Sequence, residues 1–286
     1  MKRFFLYIIS LSSSFLILSG SPASTETPVT NKSATTDSEI VFSAPPRESP
    51  SVGARRYQPI ANYLSQVIGR KVVYKHPRTW GAYRTEMLKG DYDIVFDGPH
   101  FNSYRAERMK HNILAKIPIE HQFVIIVNKN NTRAKNVSEM AGRTFCTHAP
   151  PNLGTLSLLN HFQNPSRQPA IINTKGWKNI YRGVASGRCE GGILPMANLL
   201  KYDRDGKYVR ALHVNQSIPN QAFSAGPRLS KQEQQRIASA LVSDSASNAT
   251  SELRSAYRVG NHFAPAKNSE YLGVSEFLKN EWGYFE

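Results

Sequence analysis

The stretch from Gly90 to His100, G-D-Y-D-I-V-F-D-G-P-H, presents ligand-binding residue types in the order an α/β protein uses them. Ile94, Val95 and Phe96 form a short apolar run without polar alternation, which predicts a strand covered on both faces. Asp97, Gly98, Pro99 and His100 follow at its carboxyl end, and the run from Phe101 to Met109 is compatible with a helix opening there. Open α/β sheets bind ligands in the crevice outside those ends, and a helix amino terminus adds free N–H groups and a positive dipole end. The same eleven residues also fit an ordinary βα turn in which Asp97 is a cap. Arg47, just after Pro45-Pro46, could grip an oxyanion with both prongs of its guanidinium; the alternative is an exposed loop charge.

Signatures of catalysis are missing from the chain. It has no G-x-S-x-G, H-E-x-x-H, P-loop or paired-carboxylate motif, and its acidic residues are scattered. Cys146-Thr147-His148 brings a thiol and an imidazole together with no orienting carboxylate nearby in sequence. We therefore expect no enzyme. Cys146 and Cys189 are the only cysteines. Their spacing fits no metal motif, and in an oxidising compartment they would be either a disulfide or two separately buried thiols.

That compartment is implied by the amino terminus. Lys2 and Arg3 precede a predominantly apolar stretch of 15 residues, Phe4 to Leu18, and then Ser21-Pro22-Ala23. The apolar run is shorter than the roughly 20 residues a span needs, so residues 1–23 read as a cleavable signal peptide, with an uncleaved anchor as the alternative. Residues 24–38, rich in Ser, Thr and Pro, read as a disordered linker. The formal net charge is +15, from 36 Lys and Arg against 21 Asp and Glu. These cations are spread along an exported chain with no Arg-rich tract, which argues against nucleic acid and for a basic face that concentrates a small anion.

The elements that would position these residues alternate strand and helix from Glu39 onward. Ile40–Ala44 is a first strand, and Tyr57, Ile60, Ala61, Leu64, Val67 and Ile68 lie at helical spacing, with Pro59 either starting or kinking that helix. Lys71–Lys75 is a strand, Trp80–Leu88 a helix closed by Gly90, and His121–Lys129 a further buried strand. The pattern then restarts. Arg143–Thr147, Ile171–Asn173, Gly191–Leu194 and Val209–Val214 are strands. Gly154–Phe162, Trp177–Ser186, Ala197–Tyr202 and Leu229–Val242 are helices. Two α/β halves with mainly parallel sheets follow from this repetition.

Laid out so, the chain resembles the PhnD-like family, the periplasmic substrate-binding proteins of phosphate, phosphite and phosphonate ABC transporters. Four stretches carry the resemblance: Y-Q-P-I-A-N-Y-L-S-Q-V-I-G-R (57–70), G-D-Y-D-I-V-F-D-G-P (90–99), F-V-I-I-V-N-K (123–129) and F-A-P-A-K-N-S-E-Y (263–271). The resemblance implies a two-lobed class II binding-protein fold. Lobe 1 would be 39–120 plus 224–286 and lobe 2 would be 121–223, crossed near His121 to Ile126 and Ile218 to Ser224. Where the family often has a Ser-Thr-Ser-Gly type run on the oxyanion, this chain has Pro151-Asn152-Leu153-Gly154-Thr155, leaving Asn152, Thr155 and the backbone to serve. Trp80 and His121 keep aromatic positions, and Trp177 stands where phosphonate binders tend to carry a His. On this resemblance the acidic partners of an aminophosphonate are replaced, by Ala197 or Asn198 at one position and by Gln221 at the other.

Arg47, Asp97, Gly98 and His100 from the residues themselves, with Trp80, His121, Asn152, Thr155, Trp177 and Gln221 from the resemblance, make up the expected ligand set, without cofactor or metal. The ligand would be a small anion with an apolar or aromatic portion. Its partner would be an ABC permease at the inner membrane and the protein a periplasmic monomer; a ligand-sensing module reporting to a membrane sensor kinase is the alternative.

Overall fold

The computed structural model describes residues 39–281 and 283–285. The signal peptide and linker expected over residues 1–38 lie outside the described residues. In chain order the first half runs β1 (Ile40–Ser43), α1 (Pro50–Ile68), β2 (Val72–Lys75), α2 (Trp80–Lys89), β3 (Ile94–Asp97), α3 (Pro99–Arg108) and β4 (Asn112–Lys116). The chain then passes to β5 (Phe123–Asn128), β6 (Thr144–Thr147), α4 (Leu153–Leu159), β7 (Ala170–Asn173), α5 (Trp177–Ala185), β8 (Gly191–Pro195), α6 (Met196–Tyr202) and β9 (Val209–Val214). It returns as β10 (Ala222–Ala225), α7 (Lys231–Leu241), α8 (Ser251–Tyr257) and β11 (Ala264–Pro265).

These strands make two mixed sheets, ordered β11-β4-β10-β3-β1-β2 and β7-β6-β8-β5-β9. In the first, β1 pairs in parallel with β2 and β3, while the returning β10 lies antiparallel between β3 and β4. In the second, β6 pairs in parallel with β7 and β8, and β5 lies antiparallel between β8 and β9. Two segments join the sheets. Residues 117–122 lead out and residues 215–221 lead back, and they pair where His121 bridges Ile218 and where the Ile117 N–H donates to the Gln221 carbonyl. The second crossing ends at β10, so Ala222 and Phe223 belong to the first sheet.

Local chemistry explains the elements. α1 begins at Pro50 rather than at Pro59, because Ser49 is extended and a proline at the first helical position gives up only an N–H that has no partner anyway. Pro59 sits inside the helix at an exposed position, where water can take the carbonyl it leaves unbonded. The buried face of α1 is Tyr57, Ile60, Ala61, Leu64 and Ile68, packed with Ile40, Phe42, Phe96 and Phe223 in the first core. In the second half β5 supplies both faces of its sheet: Phe123, Ile125 and Val127 enter one cluster, and Val124 and Ile126 the other. That double burial is why its sequence is a continuous apolar run. β4 carries only three apolar residues between Asn112 and Lys116, so its periodicity does not announce it; pairing with β10 places it.

Cys146 of β6 and Cys189, just before β8, are joined in a disulfide with Cα atoms 5.6 Å apart, closing a sequence separation of 43. Among the described residues no helix is long and apolar enough to cross a membrane. Replacing both cysteines by alanine should lower unfolding stability by about 4 kcal/mol, the chain-entropy value for a loop of this length. Urea unfolding of the oxidised parent and the double variant measures it, and coincident midpoints would show that the bridge contributes nothing.

Candidate functional site

At the carboxyl end of β3, Asp97 is wholly buried and every acceptor it has is used. The Arg105 guanidinium donates to its Oδ2 at 2.7 Å and the Arg47 guanidinium to its Oδ1 at 3.1 Å. The Tyr83 hydroxyl also donates to Oδ2, and the Gly98 N–H to Oδ1 at 2.7 Å. Arg105 closes the network by donating to the Tyr83 oxygen at 2.6 Å. Burial, outweighing the neighbouring Arg105, raises the Tyr83 phenol well above its ordinary range and keeps it a donor. Burial alone would lower the Arg105 guanidinium, but Tyr83 and Asp97 overcome it and hold the group above its usual value. Asp97 is thus an internal anchor whose oxygens are not offered to a ligand.

What the anchor presents is Arg47. Its side chain keeps 25% of its exposure, whereas that of Arg105 keeps 1%. Arg47 lies 6.0 Å from the centre of the half-buried Trp80 ring, which stacks on Phe101. Asn102 ties this corner together by donating its amide to both the Asp97 and Ala222 carbonyls at 2.9 Å. Ala222 pairs with Asp97 across β10, which brings half-buried Gln221 to the same sheet end. Gly98 caps α3 without a side chain; a Cβ there would come within 2.9 Å of the His100 ring, so the two residues require each other.

Two imidazoles complete the corner. His100 is buried, with Nε2 3.2 Å from the Pro151 carbonyl of the second half and Nδ1 without a partner among the described residues. His121 packs edge-on against Phe123 at 4.4 Å. Burial, assisted by the charge of Arg47, pushes both imidazoles down to about 4, so both are neutral near pH 7. From Phe123 an aromatic row continues to Trp177 at 6.3 Å and on to His148, edge-on to Trp177 at 4.4 Å.

Asn152 and Thr155 are both engaged within their own turn, Asn152 through its side-chain oxygen. The Asn152 side-chain oxygen already accepts from the Gly154 and Thr155 N–H groups, filling the helix start that was expected to be open. The buried Thr155 hydroxyl donates to the His148 carbonyl at 2.6 Å and contacts the Thr147 hydroxyl at 2.7 Å. Leu156, one residue on, packs with Tyr83, Phe101 and Leu278 of the first half, so this turn closes the two halves onto each other. Asn198 turns back to the Tyr202 hydroxyl of its own helix.

The corner therefore gathers Arg47, Trp80, Gly98, His100, His121 and Gln221, with Trp177 further along the aromatic row. Sequence reasoning missed Arg105, Tyr83, Phe123 and the role of His148. A buried arginine two turns into a polar helix reads as a surface residue, and no spacing rule distinguishes it.

Comparison with known proteins gives the same outline. Residues 42–271 match the family model described as ABC transporter, phosphonate, periplasmic substrate-binding protein. The chain is similar in fold to PhnD1 from Prochlorococcus marinus, solved in complex with methylphosphonate, at TM-score 0.62 and 16% identity over 85% of this chain and 98% of that one. A Xanthomonas citri protein solved bound to ATP gives TM-score 0.66 at 12% identity, over 87% and 99%. A binding protein component of an ABC phosphonate transporter from Pseudomonas aeruginosa gives 0.58 at 15%, over 84% and 85%.

Two outcomes follow from the network. Asp97→Asn removes the one anion between two cations and should cost about 3 kcal/mol or more of stability, as breaking a buried ion pair from one side does; an unchanged melting temperature would refute the anchor. His100, His111 and His121 are depressed to about 4, 3 and 4 mainly by burial. The unfolded chain then binds more protons below about pH 6.5, so stability is full above that value and falls as pH drops toward 4. Denaturant midpoints between pH 7.5 and 4.5 test this, and a flat profile would contradict it.

Proposed function

The chain belongs to the family of periplasmic substrate-binding proteins of phosphonate ABC transporters, a family that binds and does not catalyse, and from that premise we propose how it holds its ligand. The protein is the solute-binding component of an ABC importer and takes a small oxyanion of the phosphonate class. Its ligand sits at the corner of Arg47, Trp80, Gly98, His100, His121 and Gln221, between a first lobe, which by the pairing of β10 takes in Ala222 and Phe223 beside residues 39–120 and 224–286, and a second lobe of residues 121–221. The second lobe reaches it with Phe123, Trp177 and His148. The protein works as a monomer in the periplasm after its leader is removed, and an ABC permease reads the closed form.

One observation supports this most. Asp97 is the only carboxylate paired with Arg47 or Arg105 among the described residues, so two guanidinium groups share one negative charge. The neutral imidazoles add nothing to either side. A surplus positive charge, held rigidly beside a half-open aromatic wall, is complemented by an anion that enters and accepts from Arg47. Trp80 on one side and Trp177 with Phe123 on the other favour an oxyanion whose substituent is apolar or aromatic. Among the residues of this corner no carboxylate is free to take an amino group, which disfavours aminophosphonates.

Arg47→Ala keeps the Asp97–Arg105 pair and should therefore fold. Losing a charge-assisted contact of about 1.5–3 kcal/mol corresponds to a roughly 10–150-fold weaker affinity. A thermal-shift screen of phosphate, phosphite, alkyl-, aryl- and aminophosphonates on the parent, followed by titration of the best ligand into the variant, checks this. Equal affinity in parent and variant would remove Arg47 from the site, and no shift with any phosphorus oxyanion would overturn the ligand class.

A further inference from the structure

A second basic feature lies outside this corner. From Met140 to Cys189 the sequence contains no Asp or Glu, while Arg143, Arg167, Lys175, Lys178, Arg182 and Arg188 are all cationic. The fold gathers three of these six along one groove of about 520 Å³ between α5 and the end of the edge strand β7. Lys175, Arg182 and Arg188 line it together with Thr174, Asn179 and Gly183, and no carboxylate is among its lining residues. The side chains of Lys175 and Arg182 are exposed and pair with no acid among the described residues.

The groove is built rather than incidental. A Cβ on Gly183 would come within 2.6 Å of the Cys146 sulfur, so only glycine lets α5 lie this close to the disulfide. The bridge to Cys189 holds the neighbouring Arg188 against β6 and β7. There its guanidinium donates to the Thr174 hydroxyl at 3.3 Å and approaches the Cys146 sulfur at 3.5 Å. Arg188 is therefore a cation held by the fold before any ligand arrives, with the exposed Lys175 and Arg182 lining the same groove. Thr174 spends its own proton on the Ile172 carbonyl, whereas the Asn179 amide gives only one N–H to the Lys175 carbonyl and keeps the other. A planar guanidinium fork beside that amide donor matches the oxygens of a phosphate group.

We propose that this groove is a second anion site, which takes a phosphate group either free in solution or carried as the headgroup of an anionic lipid. It shares no residue with the corner around Arg47 and does not rest on the reading of that corner.

The test uses the protein recovered after export, in parent, Lys175→Gln/Arg182→Gln and Lys231→Gln/Lys279→Gln forms; the last pair removes equal charge from elsewhere. Flotation with phosphatidylcholine vesicles, with and without phosphatidylglycerol, probes the lipid source. Equilibrium dialysis of inorganic phosphate, in an Arg47→Ala background that silences the corner, probes the free one. Two near-surface cations correspond to a loss of about 30-fold in retention for the groove variant. That loss on anionic vesicles alone assigns the site to lipid, and the same loss on free phosphate assigns it to a soluble ligand. No binding of either probe by the parent, or an equal loss in the two double variants, would overturn the proposal.

Discussion

The structure depends on how one buried carboxylate is shared. Asp97 lies at the end of a central strand with no exposure, and an isolated charge there would be prohibitively costly. Two guanidinium groups, a phenol and a backbone N–H satisfy it. The arrangement fixes three elements at once: Arg47 comes from the loop after β1, Tyr83 from α2 and Arg105 from α3. Each enters from a different direction, so the carboxylate sets the relative placement of everything around the end of β3. Its own lone pairs are consumed in doing so, and the recognising group becomes Arg47.

The same corner is where the halves meet. The chain passes between sheets twice, and the two crossings are stitched by the Ile117–Gln221 and His121–Ile218 backbone bonds. His121 and Gln221 sit on those crossings, so residues next to the surplus charge also belong to the connection between sheets. His100 reaches the Pro151 carbonyl, and Leu156 joins the aromatic cluster of the first half. Recognition and the junction between halves thus use neighbouring residues.

How much of this the sequence carries varies by residue. The strand–turn–helix at 90–108 is legible because double burial leaves a continuous apolar run and because Gly98-Pro99 suits a helix start. Arg47 and Trp80 are legible as a cation and an aromatic next to strand ends. The role of Asp97 is not, since a carboxylate at a helix start reads equally as a cap, a ligand or an ion-pair partner, and only the distant Arg105 decides. Asn152 is ambiguous for a related reason: Asn is both a good oxyanion donor and a preferred helix cap, and here the backbone N–H groups two and three residues on claim its side-chain oxygen. β4 escapes detection because its place comes from pairing with strands far away in sequence.

On the proposed reading, the unequal charge at Asp97 also explains why closure should need a ligand. The corner is dry enough that burial depresses the His100 and His121 imidazoles, and bringing the halves together would produce that dryness. In that dried corner the second guanidinium has no full counter-charge of its own, and burying an unbalanced cation is unfavourable. An entering oxyanion supplies the missing charge, so its binding energy is larger in the closed arrangement than in an open one where water already solvates Arg47. A ligand shifts a conformational equilibrium only by such a difference in affinity. A neutral molecule filling the same aromatic walls would bind both arrangements more nearly alike and would shift them little. Selectivity for an anion and coupling to closure would then have one physical origin, the carboxylate that serves two cations.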